Sequence, residues 1–126
     1  MKILIQCLAV GAAGAAGALA RFGLGRLFGR LPVQFPVGTF VINITGSFFL
    51  GWFSTFAQER YPLPDTLRLA IATGFVGAYT TFSTWMFESA DLARKGATLE
   101  SAANLLGSLI VGLAAVWLGM VVGRKV

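Results

Sequence analysis

Residues Thr73 to Thr84 read Thr-Gly-Phe-Val-Gly-Ala-Tyr-Thr-Thr-Phe-Ser-Thr, and they lie within an uncharged stretch of the chain. Two glycines and five serine or threonine residues fall within these twelve positions. Glycine destabilises a helix interior, and short hydroxyl side chains compete for the backbone hydrogen bonds that a helix needs. The segment therefore predicts an interrupted helix, with the break expected near Gly77–Thr80.

The composition of the whole chain is typical of an integral membrane protein. Of its 126 residues 56% are apolar and 12% are charged, which is too little charge to cover a soluble domain. Four uncharged stretches recur along it, at 3–20, 31–58, 69–87 and 101–123. As a helix, even the shortest spans about 27 Å, close to the hydrocarbon thickness of a bilayer.

We therefore predict an all-α integral membrane protein that forms one domain over residues 1–126. Its four transmembrane helices are expected at about 3–27, 38–57, 67–94 (broken near 77–80) and 99–123. The first stretch is interpreted as a span and not as a cleaved signal peptide, because it runs uninterrupted into Arg21 with small residues throughout.

A broken helix in a bilayer is tolerated only where its backbone is buried in protein or lines a watery cavity. Free carbonyl groups at such a break are hard oxygen ligands for a small cation, and the hydroxyl of Thr80 is a further ligand. The alternative is a packing kink that hydroxyl groups fill. The residues alone leave both interpretations open.

Two spans carry a stripe of polar side chains that recurs at helical spacing. The stripes consist of Thr39, Asn43 and Ser47 in the second span, and of Ser101, Asn104 and Ser108 in the fourth. Each must face protein or water rather than lipid. For Asn43 two roles remain open, a hydrogen bond between helices and a contact with a ligand.

The second half of the third span combines aromatic rings with hydroxyl donors. Phe82 and Trp85 share one helix face, and Ser83 and Thr84 lie beside them. Because aromatic rings have an electropositive edge, this mixture suits a small dehydrated anion, while core packing is the alternative. Glu88 extends the polar face toward the end of the span, where it either has a function or reaches toward water.

Other chemistry lacks its usual groups. The chain has no histidine and one cysteine, so transition-metal and Ser/His/Asp sites lack their ligands and bases, and an enzyme is not expected. The net charge of +5 indicates basic flanks that meet anionic lipid headgroups, with no nucleic-acid partner.

The basic residues divide evenly between the two predicted sides of the membrane. Five lie on the side of the termini and five on the other, namely Lys2, Arg60, Arg68, Arg124 and Lys125 against Arg21, Arg26, Arg30, Arg94 and Lys95. Orientation follows the excess of Lys and Arg on the cytoplasmic side, so a tie permits insertion both ways round. Chance also produces such ties.

These motifs together resemble one family of membrane proteins. The pattern Gly38-Thr39-x-x-x-Asn43 opens the second span, Gly77-x-x-Thr80-Thr81-Phe82-Ser83-Thr84 follows in the third, and Arg21-Phe22 ends the first. In these motifs, and over essentially its full length, the chain resembles the Fluc (CrcB) fluoride channels.

The resemblance implies an antiparallel, dual-topology homodimer with two fluoride pores and a structural sodium ion that is not transported. Main-chain oxygens of Gly77 and Thr80 are implied as sodium ligands, and Asn43 and Phe82 as pore-lining residues. Trp85 stands where the family usually has a second phenylalanine, and Ala78 and Tyr79 also depart from the usual pattern.

From the residues and the resemblance together, we predict a passive fluoride channel of a prokaryotic plasma membrane. Its partners are fluoride, sodium, membrane lipids and a second copy of the chain. The predicted pore residues are Asn43, Phe82, Ser83, Thr84, Trp85, Glu88 and Ser108. Two alternatives are a small proton-coupled exporter, which needs a carboxylate in the first span that residues 3–20 lack, and a structural subunit that conducts nothing.

Overall fold

The computed structural model describes the whole chain, Met1–Val126, as helices joined by short links, without strands. We number the helices α1 (Lys2–Phe28), α2 (Val37–Arg60), α3 (65–79), α4 (Phe82–Arg94) and α5 (Thr98–Lys125). The prediction of an all-α protein is confirmed. Three helices, α1, α2 and α5, are individually long and apolar enough to cross a membrane.

Three of the helices contain a stretch of wider, π-helical turns. These stretches are Phe56–Arg60 at the end of α2, Ala70–Val76 in α3 and Ala103–Gly107 in α5. Such turns recur at functional sites in helical proteins. The stretch in α3 precedes the break, and the stretch in α5 packs against α4, so both lie where the candidate site is assembled.

Helix α1 runs parallel to α3. Lys2 forms an ion pair with Asp65 at 3.6 Å near the start of both helices. At the other end of this pair, Arg21 Nε donates to the carbonyl oxygen of Ala78 at 3.0 Å. A Cβ atom added at Gly17 would collide with the backbone carbonyl of Phe75, so a small residue is required where the two backbones touch.

Helix α2 pairs in the same parallel sense with α5. A Cβ at Gly119 would collide with the backbone of Phe48, and one at Gly123 would come within 2.7 Å of the carbonyl oxygen of Trp52. Beyond them, Arg124 lies 3.5 Å from Glu59. The chain termini and the link between α2 and α3 therefore lie at one end of the bundle.

The break between α3 and α4 lies at Thr80 and Thr81. Both residues are extended, with φ and ψ of −83° and 160° for Thr80 and −150° and 116° for Thr81. Gly77 is still helical, with φ −61° and ψ −37°, so the interruption begins three residues later than the first residue of the predicted break.

Threonine capping, not glycine flexibility, determines where the helix stops. The amide and the hydroxyl of Thr80 both donate to the carbonyl oxygen of Val76, at 3.0 and 2.9 Å. Thr81 is the N-cap of α4, because its hydroxyl oxygen accepts the backbone N–H of Thr84 at 3.2 Å. Helix α3 therefore ends at Thr80, and the adjacent residue Thr81 caps the start of α4.

The single chain has a sparse interior. Only 17 of its 126 residues are buried, and many of its large apolar side chains are exposed. Monomeric soluble proteins rarely expose apolar surface on this scale. Lipid or a second protein chain must therefore cover most of the molecule.

Candidate functional site

Asn43 holds the broken segment against α2. Its Nδ2 donates to the carbonyl oxygen of Thr81 at 3.0 Å, and its Oδ1 accepts the backbone N–H of the same residue at 2.8 Å. The amide thus satisfies both backbone groups of one extended residue, which a helix would otherwise satisfy. One hydrogen of the amide is left for another acceptor.

An open groove of about 340 Å³ begins at this clamp. Its polar wall consists of Asn43, Ser47, Thr80, Thr81 and Ser108. Phe82 and Trp85 contribute aromatic rings, and the remaining lining is aliphatic or glycine. No charged side chain lines the groove.

The two rings are perpendicular to each other. Their centroids lie 5.7 Å apart with an interplanar angle of 82°, an edge-to-face arrangement. Phe82 is 70% exposed in the single chain, whereas the indole of Trp85 is partly covered by α5 and donates to the carbonyl oxygen of Asn104 at 2.8 Å. The groove thus combines an exposed ring with hydroxyl and amide donors.

Three predicted pore residues lie outside this groove. Ser83 is exposed, and Thr84 is used by the helix cap, because its hydroxyl accepts a hydrogen bond from Thr81 at 3.0 Å. Glu88 lines a separate cavity of about 220 Å³ beside the link between α1 and α2. There the hydroxyl of Thr39 donates to Glu88 Oε1 at 2.8 Å, and Oε2 is buried without a partner.

Of the residues implied as cation ligands, Gly77 lies before the break and outside the groove, whereas Thr80 lies in the break and also lines the groove. Gly77 is exposed and Thr80 is half-buried. The carbonyl oxygens of Val76, Ala78 and Thr81 accept hydrogen bonds, but no hydrogen bond outside the regular helices ends on that of Gly77 or Thr80. No cluster of three His, Cys, Asp or Glu side chains exists in the chain, so any cation site here would consist of backbone and hydroxyl oxygens.

Some residues of the site were not predicted from the sequence. Arg21 was noted as part of a motif and as a basic flanking residue, yet it also binds the carbonyl oxygen of Ala78 at the break. Ser89 was not singled out, although its hydroxyl donates to the Trp85 carbonyl and accepts from the Asn104 amide. A signal existed for Ser89, since it lies four residues after Trp85 on the same helix face.

The sequence of this chain matches one known protein family. The family model described as "CrcB-like protein, Camphor Resistance (CrcB)" matches residues 8–120, which is most of the chain. The chain belongs to the CrcB family. The resemblance noted in its motifs is thereby confirmed.

Bacterial members of the CrcB family are similar over nearly the whole chain. A protein of Acidobacterium capsulatum named "Fluoride-specific ion channel FluC" is 46% identical over 123 residues, covering 97% of this chain and 98% of that protein. A protein of the same name from Nitratidesulfovibrio vulgaris is 45% identical over 118 residues, covering 93% of this chain and 95% of its own length.

A third relative is longer than this chain. The "Fluoride-specific ion channel FluC" of Methylococcus capsulatus is 44% identical over 126 residues, which cover 99% of this chain but 54% of that protein. The chain thus spans about half of this relative. All three relatives are named as ion channels and none as an enzyme.

Proposed function

We propose that this chain forms a passive, fluoride-selective channel in the plasma membrane of a prokaryote and so lowers cytoplasmic fluoride. The observation that carries the proposal is the uncharged groove of amide, hydroxyl and ring edge beside the break. Its relatives of nearly the same length are named as fluoride-specific channels, which supports the choice of ion.

The groove suits a small anion for an electrostatic reason. A bare charge in a low-dielectric interior costs far more than thermal energy unless donors replace its water. Hydroxyl groups of the groove and the free amide hydrogen of Asn43 supply such donors, and the exposed edge of Phe82 is electropositive. Without a full positive charge the anion is stabilised but not trapped, as conduction requires.

The proposed assembly is an antiparallel homodimer in which each chain crosses the membrane four times. Helices α3 and α4 together would make the third crossing, since Asn43 and Arg21 supply partners for the backbone where the helix is broken. Two features support a second copy. The groove is open on one side, and Phe82 and Gly77 are exposed although both flank the break.

A structural sodium ion is part of this proposal. The carbonyl oxygens of Gly77 and Thr80 are hard ligands that the hydrogen bonds of the break leave available, so the residues present fit such an ion. A bound cation would supply fixed positive charge between two copies. Gly77 and Thr80 would hold it, and Asn43 and Arg21 would fix the backbone that presents them.

The decisive test replaces Phe82 with isoleucine and measures initial fluoride efflux from liposomes. Isoleucine retains apolar bulk but lacks the electropositive edge, so we expect efflux to fall by about tenfold, which corresponds to roughly 1.4 kcal/mol. Gel filtration should still give the dimer.

Phe87→Ile is the matched control for this test. Phe87 lies on the same helix and is 72% exposed, close to the 70% of Phe82, but it does not line the groove. We expect Phe87→Ile to conduct like the parent protein. Equal efflux from both variants would show that the ring of Phe82 does not contact the ion, and a parent protein that passes neither fluoride nor chloride would refute the proposed function itself.

Dual topology predicts a specific response to added charge. Val33→Lys together with Gln34→Lys adds two basic residues to the exposed link between α1 and α2, which should bias orientation toward placing that link in the cytoplasm. Expressed alone, this variant should lose most of its fluoride efflux, because oppositely oriented partners become rare.

The control for this experiment is a second variant whose added charge favours the opposite orientation. Gln58→Lys with Tyr61→Lys adds the same charge to the other end of the bundle, where both side chains are exposed. Co-expression of the two variants should recover efflux. Unchanged orientation of the first variant in reporter fusions would contradict the dual-topology proposal.

A further inference from the structure

The indole of Trp85 is hydrogen-bonded to the backbone of Asn104, whose side chain is the most deeply buried of the protein. Its Nε1 donates to the carbonyl oxygen of Asn104 at 2.8 Å, and Asn104 is 0% exposed. The amide Nδ2 of Asn104 donates to Ser89 Oγ at 2.8 Å. On its other side, Asn104 Oδ1 accepts from Ser108 Oγ at 3.4 Å. Hydrogen bonds to Ser89 and to Ser108 therefore fix Asn104, the residue whose carbonyl accepts the indole N–H.

The carbonyl that receives the indole lies in the π-helical stretch Ala103–Gly107 of α5. It also accepts the backbone N–H of Ser108, so both of its lone pairs are occupied. A third bond joins α4 to α5 nearby, from Ser101 Oγ to the carbonyl oxygen of Ser89 at 2.7 Å. The indole thus has a fixed position relative to α5.

The fixed indole in turn restricts the orientation of the exposed Phe82 ring beside it. Phe82 has Trp85 as its edge-to-face partner, with centroids 5.7 Å apart. Because the other side of Phe82 is open in the single chain, the indole is the aromatic surface against which this ring is oriented. A change in the indole angle would therefore change the orientation of the Phe82 ring that the edge-to-face contact favours.

We propose that Trp85 is a positioning residue: its N–H binds the carbonyl of Asn104 instead of the permeating anion, and its ring orients Phe82. This differs from the expectation that Trp85 acts as a second anion-contacting ring. The inference rests on the proposed function, since the orientation of Phe82 matters only if that ring meets the ion.

The sharpest test replaces the indole of Trp85 with the isosteric benzothiophene of 3-benzothienylalanine, introduced by nonsense suppression. Sulfur replaces N–H in a ring of nearly the same shape, so the aromatic surface is kept while the donor to Asn104 is lost. We expect fluoride efflux to fall about fivefold, the size of one lost hydrogen bond. The same replacement at Trp117, which is 66% exposed on α5 outside the groove, should leave efflux unchanged.

A double-mutant cycle separates positioning from general stability. If Trp85 acts through Phe82, the benzothiophene replacement should have little further effect on efflux in a Phe82→Ile protein. A role that only stabilises the fold would lower efflux by the same factor in both backgrounds. That second outcome would overturn the inference.

A readout that does not depend on conduction completes the test. In a protein labelled with ¹⁵N at its tryptophans, the indole signal that disappears in Trp85→Phe identifies Trp85. We expect this N–H to exchange slowly with D₂O and its shift to stay unchanged as fluoride is added. A shift that moves on fluoride titration would mean direct contact with the anion and would overturn the inference. A protected indole in a protein that conducts nothing would instead refute the proposed function while leaving the bond to Asn104 intact.

Discussion

Replacing Asn43 with leucine should lower fluoride efflux by about a hundredfold. The substitution removes two hydrogen bonds to the backbone of Thr81, of 3.0 and 2.8 Å, and leaves that backbone without partners. Each unsatisfied buried group costs about 1–3 kcal/mol, so the two together cost about 2–6 kcal/mol, a range that includes the roughly 2.7 kcal/mol of a hundredfold change. The break should lose its defined geometry, and the groove should lose an amide donor.

Gln6→Leu is the control for this experiment. Gln6 is also an amide within a long apolar helix, but it makes no hydrogen bond in the structure. Efflux from Gln6→Leu should equal that of the parent. The thermal midpoint of each variant should be measured in detergent, since Asn43→Leu is expected to reduce it as well. Parent-like efflux from Asn43→Leu would mean that neither the clamp nor the amide is needed for conduction.

Gly77→Leu is expected to abolish both efflux and dimer formation. A Cβ atom at this position meets nothing closer than the carbonyl oxygen of Ala72 at 3.9 Å, so the single chain has room for a side chain. The loss would arise between two copies of the chain and not within one copy. A bulky group at this position would occupy the exposed surface where the second copy and the sodium ion are proposed to lie. Gly77→Ala, which adds only the Cβ atom, should retain more efflux than Gly77→Leu.

Gly11→Leu provides the matched control, since a Cβ at Gly11 also meets nothing within 4 Å. It should remain dimeric and active. The sodium proposal is checked separately by exhaustive exchange into N-methylglucamine before reconstitution, which should reduce efflux in the parent. Full fluoride efflux after that exchange would show that no sodium ion is needed, and a dimeric Gly77→Leu protein would remove this residue from the interface.

Much of the fold could be predicted from simple patterns of residue types in the sequence. Uncharged stretches predict the long helices because a bilayer selects for length and hydropathy. Stripes of polar residues predict which faces turn inward, and Asn43 and Asn104 do face α4 through hydrogen bonds. Close approach of helices occurs at Gly17 and Gly119, where a Cβ atom would collide with a neighbouring backbone.

The details of the site were harder to predict, for two physical reasons. The position of the break depends on which threonine caps which helix, and the choice of Thr80 and Thr81 over Gly77 arises from hydrogen bonds that compete at similar energies. The bond from Trp85 to Asn104 joins residues on different helices through a backbone carbonyl. Every residue has a backbone carbonyl group, so no pattern of residue types can predict which carbonyl accepts this hydrogen bond.

The parallel pairing of α1 with α3 and of α2 with α5 also sets the order of events during synthesis. When α1 and α2 leave the ribosome, the partner of each is two spans further along the chain and does not yet exist. Helix α2 meets its glycine-lined partner only when Gly119 and Gly123, close to the carboxyl end, have been made. Until then the face of α2 that these glycines contact must remain against lipid, although Asn43 can already pair with the backbone of Thr81. A nascent chain truncated before α5 would therefore be a natural substrate for membrane quality-control proteases.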